Sequence, residues 1–183
     1  MKKLLSLTIV LLMGLMFSTL QAQTKKAAIY GGVKTCKACH MTKKSGAQYK
    51  VWKTTKHAKA FETLKGEAAL AIAKKKGIAD PSKSPKCLKC HVTAFGVDAK
   101  LKGPKLTLEE GVSCEACHGA GSTYKSRKTM KALTAGTLKP ADYGLTIPDE
   151  KVCVTCHNEE SPSYKKFVFK EMVAKIAHPI PKK

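Results

Sequence analysis

The sequence predicts a small, mainly α fold with little or no β-structure. Three observations point there. Stretches with helical periods or capping signals alternate with Gly- and Pro-rich turns. A five-residue pattern of two cysteines and a histidine returns four times. Side chains alone also offer little interior. The aromatic residues beyond the N-terminal stretch are Tyr30, Tyr49, Trp52, Phe61, Phe95, Tyr124, Tyr143, Tyr164, Phe167 and Phe169, few for a domain of roughly 160 residues.

The repeated pattern is Cys36-Lys37-Ala38-Cys39-His40, Cys87-Leu88-Lys89-Cys90-His91, Cys114-Glu115-Ala116-Cys117-His118 and Cys153-Val154-Thr155-Cys156-His157, and it uses all eight cysteines. C-x-x-C-H is the attachment signature of c-type haem. The two thiols add to the haem vinyl groups, and the short spacer sets their separation. The histidine that follows is placed to be the first axial ligand of the iron, which sets much of the redox potential. The expectation is four covalently attached haem c groups, with His40, His91, His118 and His157 on iron. Four disulfides or structural zinc are the alternatives for eight cysteines. Neither explains a histidine after every second cysteine. With 6 histidines in 183 residues, four coincidences have odds on the order of one in a million. Haems would then form the core, since without them the chain buries too little surface to offset its conformational entropy.

The chain starts Met1-Lys2-Lys3, runs apolar from Leu4 to Phe17, and continues Ser18-Thr19-Leu20-Gln21-Ala22. That order reads as a secretory signal peptide over residues 1–22, leaving residues 23–183 as a single domain in the periplasm. The apolar run is short for a retained membrane anchor. Formal charge is +21; loss of Lys2 and Lys3 leaves +19, and eight ionised propionates would lower it to roughly +11. The excess is mostly lysine spread along the whole chain. A solvated surface explains much of it, and the rest suits steering toward an acidic redox partner or an anionic membrane face. Export and the lack of a recognition motif argue against nucleic acid.

Taken in order, residues 43–65 carry Tyr49, Trp52, Phe61 and Leu64 at a partial helical period, with His57 on that helix and the small residues Ala58 and Ala60 beside it. Glu67 to Lys76 is alanine-rich and closes at Gly77. Asp80 to Pro85 is a turn-rich linker, and Val92 to Gly103 reads as loop. Thr107-Leu108-Glu109-Glu110 matches a capping box, predicting a short helix before the third motif. Residues 119–146 are weakly patterned. Pro148-Asp149-Glu150 opens a helix for the fourth motif. A last helix from near Ser163 places Phe169, Met172, Val173 and Ile176 on one face and stops at Pro179. His57 and His178 are the two histidines outside the motifs, and both are candidate second axial ligands.

These residues resemble the tetrahaem cytochrome c-554 family, linked to hydroxylamine oxidation. The likeness runs through Trp52, His57-Ala58-Lys59-Ala60 and Leu64, through Cys90-His91-Val92 with Phe95-Gly96, and through Gly111 to Gly121. It resumes at Ser161-Pro162 and Phe169-Lys170-Glu171-Met172-Val173, up to His178. The resemblance implies a mostly helical protein of closely packed haems. It implies His57 as distal ligand of the third-motif haem, His178 as that of the fourth, and an open iron face at the second motif near Phe95. One departure stands out. The family has a histidine about ten residues past the third motif for the first-motif haem, where this chain has Lys128. That haem is therefore open, or takes Met130, Lys128 or a residue of another protein.

The function expected from these readings is electron transfer between redox partners, for which bis-histidine iron without a vacancy is suited. Partners expected are proteins with acidic docking surfaces, a membrane-bound quinone-linked cytochrome among them. The alternative is an enzyme that reduces nitric oxide or another small nitrogen species at an open haem. A conducting filament is a third reading, opposed by lysine repulsion.

Overall fold

The computed structural model describes residues 27–180; the signal-peptide expectation for residues 1–22 lies outside them. Nine α-helices occur among the described residues: α1 Val33–His40, α2 Gln48–Thr54, α3 Ala60–Thr63, α4 Glu67–Lys75, α5 Pro85–His91, α6 Cys114–His118, α7 Arg127–Thr134, α8 Glu150–Val154 and α9 Phe169–Ala174. The mainly α expectation holds. In place of strands the described residues show one isolated bridge, Tyr30 to Lys102. None of their helices is long and apolar enough to cross a membrane.

Local chemistry explains most boundaries. Helix α4 ends where Gly77 takes a left-handed φ of 64°, so that Ile78 N–H reaches back to the Ala73 carbonyl at 2.8 Å. Pro85 sits in the first turn of α5, where its missing N–H costs nothing. The region expected as one helix over 43–65 is broken instead. Thr54 and Thr55 donate their hydroxyls to the Val51 and Trp52 carbonyls at 2.7 Å each, and Thr55 turns extended. The hydroxyls cap the carbonyls that the next turn needs. His57 consequently sits in a separate 3-10 turn, His57–Lys59.

Three further differences have similar causes. The Thr107 side chain makes no capping bond, and Leu108–Glu110 is a single 3-10 turn, because Glu110 turns inward. Helix α7, in the weakly patterned region, starts at Ser126, whose Oγ accepts from Thr129 N at 3.0 Å. Helix α8 is capped by Asp149, which accepts from Val152 N at 3.2 Å, and it ends before Cys156. The last helix is confined to Phe169–Ala174, shorter than its period suggested.

The side-chain core is small. Phe61, Leu64, Leu88 and Val92 form one apolar cluster, with Cys87 against it, and eight apolar side chains in all are buried among the described residues. Of the motif helices, α5 joins this cluster through Leu88 and Cys87, while α1 and α6 are held by polar anchors that define the site.

Candidate functional site

Helix α1 packs on α6 through a carboxylate. Glu115, the residue after the first cysteine of the third motif, is 1% exposed. Its Oε1 accepts from Gly31 N at 2.8 Å and Gly121 N at 2.7 Å, and its Oε2 from Gly32 N at 2.8 Å. Glu110 makes a parallel anchor. It accepts from Val33 N at 2.9 Å and from Ser113 Oγ at 2.6 Å. Ser113 N in turn donates to Thr93 Oγ1 at 2.8 Å, two residues past the second motif. Burial, the largest influence, holds the Glu110 carboxyl above the usual range, partly offset by its bonds from Ser113 and Val33. Three motifs are thus fastened to one another by buried polar groups.

The eight cysteines are free thiols, and they neighbour one another between motifs. The Cys36 thiol contacts Cys114, Cys90 contacts Cys156, and Cys117 lies near Cys153 and Cys156. Lys89, inside the second motif, pairs with Glu160 just past the fourth. Among the described residues no three or more His, Cys, Asp or Glu side chains converge as a metal cage, whereas structural zinc takes four such ligands.

The motif histidines are oriented through Nδ1. His91 Nδ1 lies 2.6 Å from the Ala60 carbonyl, and His118 Nδ1 lies 3.0 Å from that of Thr146. His40 Nδ1 meets a side chain, Gln48 Oε1, at 3.0 Å. Each acceptor requires N–H at Nδ1, which leaves Nε2 with the free lone pair that a metal takes. His157 is held differently, stacked on Phe167 with ring centroids 5.1 Å apart.

Both spare histidines face motif histidines. The His57 and His157 rings are 5.8 Å apart, and those of His118 and His178 are 5.9 Å apart. Metal–imidazole bonds are about 2 Å, so both separations lie close to the one that two rings on a shared metal would take. The pairing is the exchange of what the resemblance implied: His57 faces the fourth motif and His178 the third. The His57 turn is pinned by Val112 N donating to the His57 carbonyl at 3.0 Å, beside Trp52 Nε1 donating to the Val112 carbonyl at 2.9 Å. Gly111 permits this close approach: at φ +62°, a Cβ there would lie 2.7 Å from the His57 carbonyl oxygen. Burial first, then His157, holds His57 below the usual histidine range, and burial first, then His118, does the same for His178. A neutral imidazole keeps its lone pair for a metal. His178 Nδ1 is buried with no hydrogen-bond partner. Paired thiols, free Nε2 lone pairs and facing imidazoles all fit haem.

Other expected residues are placed apart from these pairs. Phe95 is 37% exposed and lines a cleft of about 220 Å³ with Val92, Leu106 and Leu108. Met130 is half-buried on α7 and Lys128 exposed. Glu110, Glu115 and Gln48 were not marked by the sequence as functional. The one available signal was a carboxylate placed inside a thiol motif at Glu115.

Comparison with known proteins agrees with the geometry. Residues 35–119 match the family described as cytochrome c554 and c-prime. Over 152 residues the chain is 36% identical to cytochrome c-554 of Nitrosomonas europaea, covering 75% of this chain and 62% of that protein. No solved structure matches. The matched segment contains three thiol pairs, the His57 turn and both buried carboxylates, so the likeness falls on the residues that build the site, and the chain belongs to the cytochrome c-554 family.

Proposed function

We propose that the chain is an exported, periplasmic multihaem cytochrome c that passes electrons between redox partner proteins through four covalently bound haems. The observation that carries this reading is the order in which the motifs neighbour one another. The first touches the third, the third lies beside the fourth, and the fourth touches the second. No motif is isolated, so the attachment points form one continuous series.

Bound haem supplies a one-electron iron couple at each point of that series. The chain's own residues fix where each point lies and what its iron meets. Cys36, Cys39, Cys87, Cys90, Cys114, Cys117, Cys153 and Cys156 form the attachments; His40, His91, His118 and His157 provide the first ligands. His157 with His57, and His118 with His178, would supply the imidazoles for two of the irons. Exposed Lys34, Lys37, Lys50 and Lys53 on α1 and α2 offer a positive face to acidic partner proteins, a membrane-bound quinone-linked cytochrome among them.

A second reading, reduction of nitric oxide or a related nitrogen species, is favoured by one observation. The His57 and His178 rings face His157 and His118, which leaves His40 and His91 as the motif histidines without a facing imidazole ring. An open iron face is necessary for such chemistry and not sufficient. The test is the mass of the purified mature protein, followed by visible and EPR spectra of its oxidised and reduced forms. Four added haems with ready partner oxidation support the electron carrier. Reduced protein that is entirely low-spin and binds neither CO nor NO removes the enzyme reading; a mass lacking the four groups removes both.

A further inference from the structure

Three motif histidines have Nδ1 acceptors, and one acceptor differs in kind. His91 and His118 are held by backbone carbonyls, whereas His40 is held by the Gln48 side chain. The other end of that amide is also engaged. Gln48 Nε2 donates to the Ser45 carbonyl and, at 3.2 Å, to the Pro179 carbonyl. Two carbonyl acceptors demand the NH₂ end, so the amide oxygen must face His40. Pro179 follows His178 directly, and the His178 ring faces His118 at 5.9 Å. Gly46 shapes the same contact. It takes φ +95°, and a Cβ there would stand 2.5 Å from the Pro179 oxygen and 2.6 Å from Gln48 Nε2. The turn thus accommodates the chain end only with glycine at this position.

We infer that Gln48 is a positioning residue that joins two haem centres, its oxygen setting the His40 imidazole of the first motif and its nitrogen tethering the segment that presents His178 to the third. The inference rests on the haem reading above. Hydrogen bonding at Nδ1 governs how strongly an imidazole donates to iron, so the first-motif potential is open to change at a side chain, as the other two are not. His178, near the chain end, has its tether at that same side chain. A change at Gln48 should be felt at both centres, with signs that separate the two bonds.

The experiment uses haem-loaded protein with Gln48→Glu, Gln48→Leu or Gly46→Ala, read by potentiometric titration and EPR. The third-motif signal is assigned by its loss in His178→Ala. Gln48→Glu keeps an acceptor at His40 and adds charge, and should lower the first-motif reduction constant about tenfold, which is 59 mV for a one-electron couple. Gln48→Leu removes the acceptor and should raise it. Both lose the donor to Pro179, so both should increase the high-spin fraction at the third motif. Gly46→Ala crowds both the Pro179 oxygen and Gln48 Nε2; with the amide itself intact, it should change the third-motif spin state and move the first-motif potential less than either Gln48 variant. Shifts of one sign in Glu and Leu, or no shift at normal haem content, overturn the role of Gln48. A chain without added haem overturns the haem reading and this inference together.

Discussion

Replacing Glu115 by alanine strands three backbone donors. Gly32 and Gly121 are buried at their bonds to this carboxylate, and Gly31 is part-buried. A buried unsatisfied N–H costs about 1–3 kcal/mol, and water can reach only Gly31 in part. The sum is roughly 3–6 kcal/mol, a large share of the ~5–15 kcal/mol that holds a typical domain. Glutamine is a sharper probe. Its oxygen can stay at the Oε1 position and serve Gly31 and Gly121, while its NH₂ meets the Gly32 donor. One bond is lost, at about 1–3 kcal/mol. In urea unfolding of haem-loaded protein, with a slope of about 2 kcal/mol/M, alanine should lower the midpoint by ~1.5–3 M and glutamine by ~0.5–1.5 M. Equal losses for the two variants, or a loss under about 0.5 M for alanine, would refute the claim that this carboxylate fastens α1 to α6.

Other outcomes follow from the same geometry. His57→Ala should convert the fourth-motif haem to high spin and leave the third-motif haem low-spin; His178→Ala should do the reverse, and EPR of each variant reports which centre changes. Gly111→Ala forces a Cβ to 2.7 Å from the His57 carbonyl at a left-handed φ, a strain of about 1–3 kcal/mol. It should lower the melting temperature and broaden the fourth-motif EPR signal. Burial raises Glu110 above its unfolded value, so the folded chain binds the extra proton. That contribution is full below the ordinary glutamate range and is lost as pH rises through the raised value. Melting temperatures of wild type and Glu110→Gln should therefore converge toward different slopes across acid pH, the wild type falling more steeply as pH increases through this window. Parallel curves would remove Glu110 as the source.

What could be read from the sequence was what adjacent residues determine. The thiol pairs and their histidines, the stop of α4 at Gly77, the start of α5 at Pro85 and the mainly α content all follow from local chemistry. The break at Thr54–Thr55 was hidden because the apolar period continues across it, while two hydroxyls stop the helix. Helix α7 was hidden by its polarity and by dependence on one cap, Ser126. The site divided in the same way. His57 and His178 stood out by elimination, but which motif each faces depends on contacts between distant segments, such as Val112 against His57. Gln48 carries no signal in the chain because its role lies in having two ends, each bonded to a different part of the fold.

The reach of Glu115 has a consequence for how the protein is made. It grips residues 83 and 84 positions upstream, and chains emerge from the ribosome N-terminus first. The Gly31 and Gly32 donors ahead of the first thiol pair therefore lack their carboxylate partner until the third pair has been synthesised. Cys36, half-buried in the finished fold, stays open over that interval, whereas Cys39 is exposed in the finished fold as well. The clasp on the first pair closes only with the third.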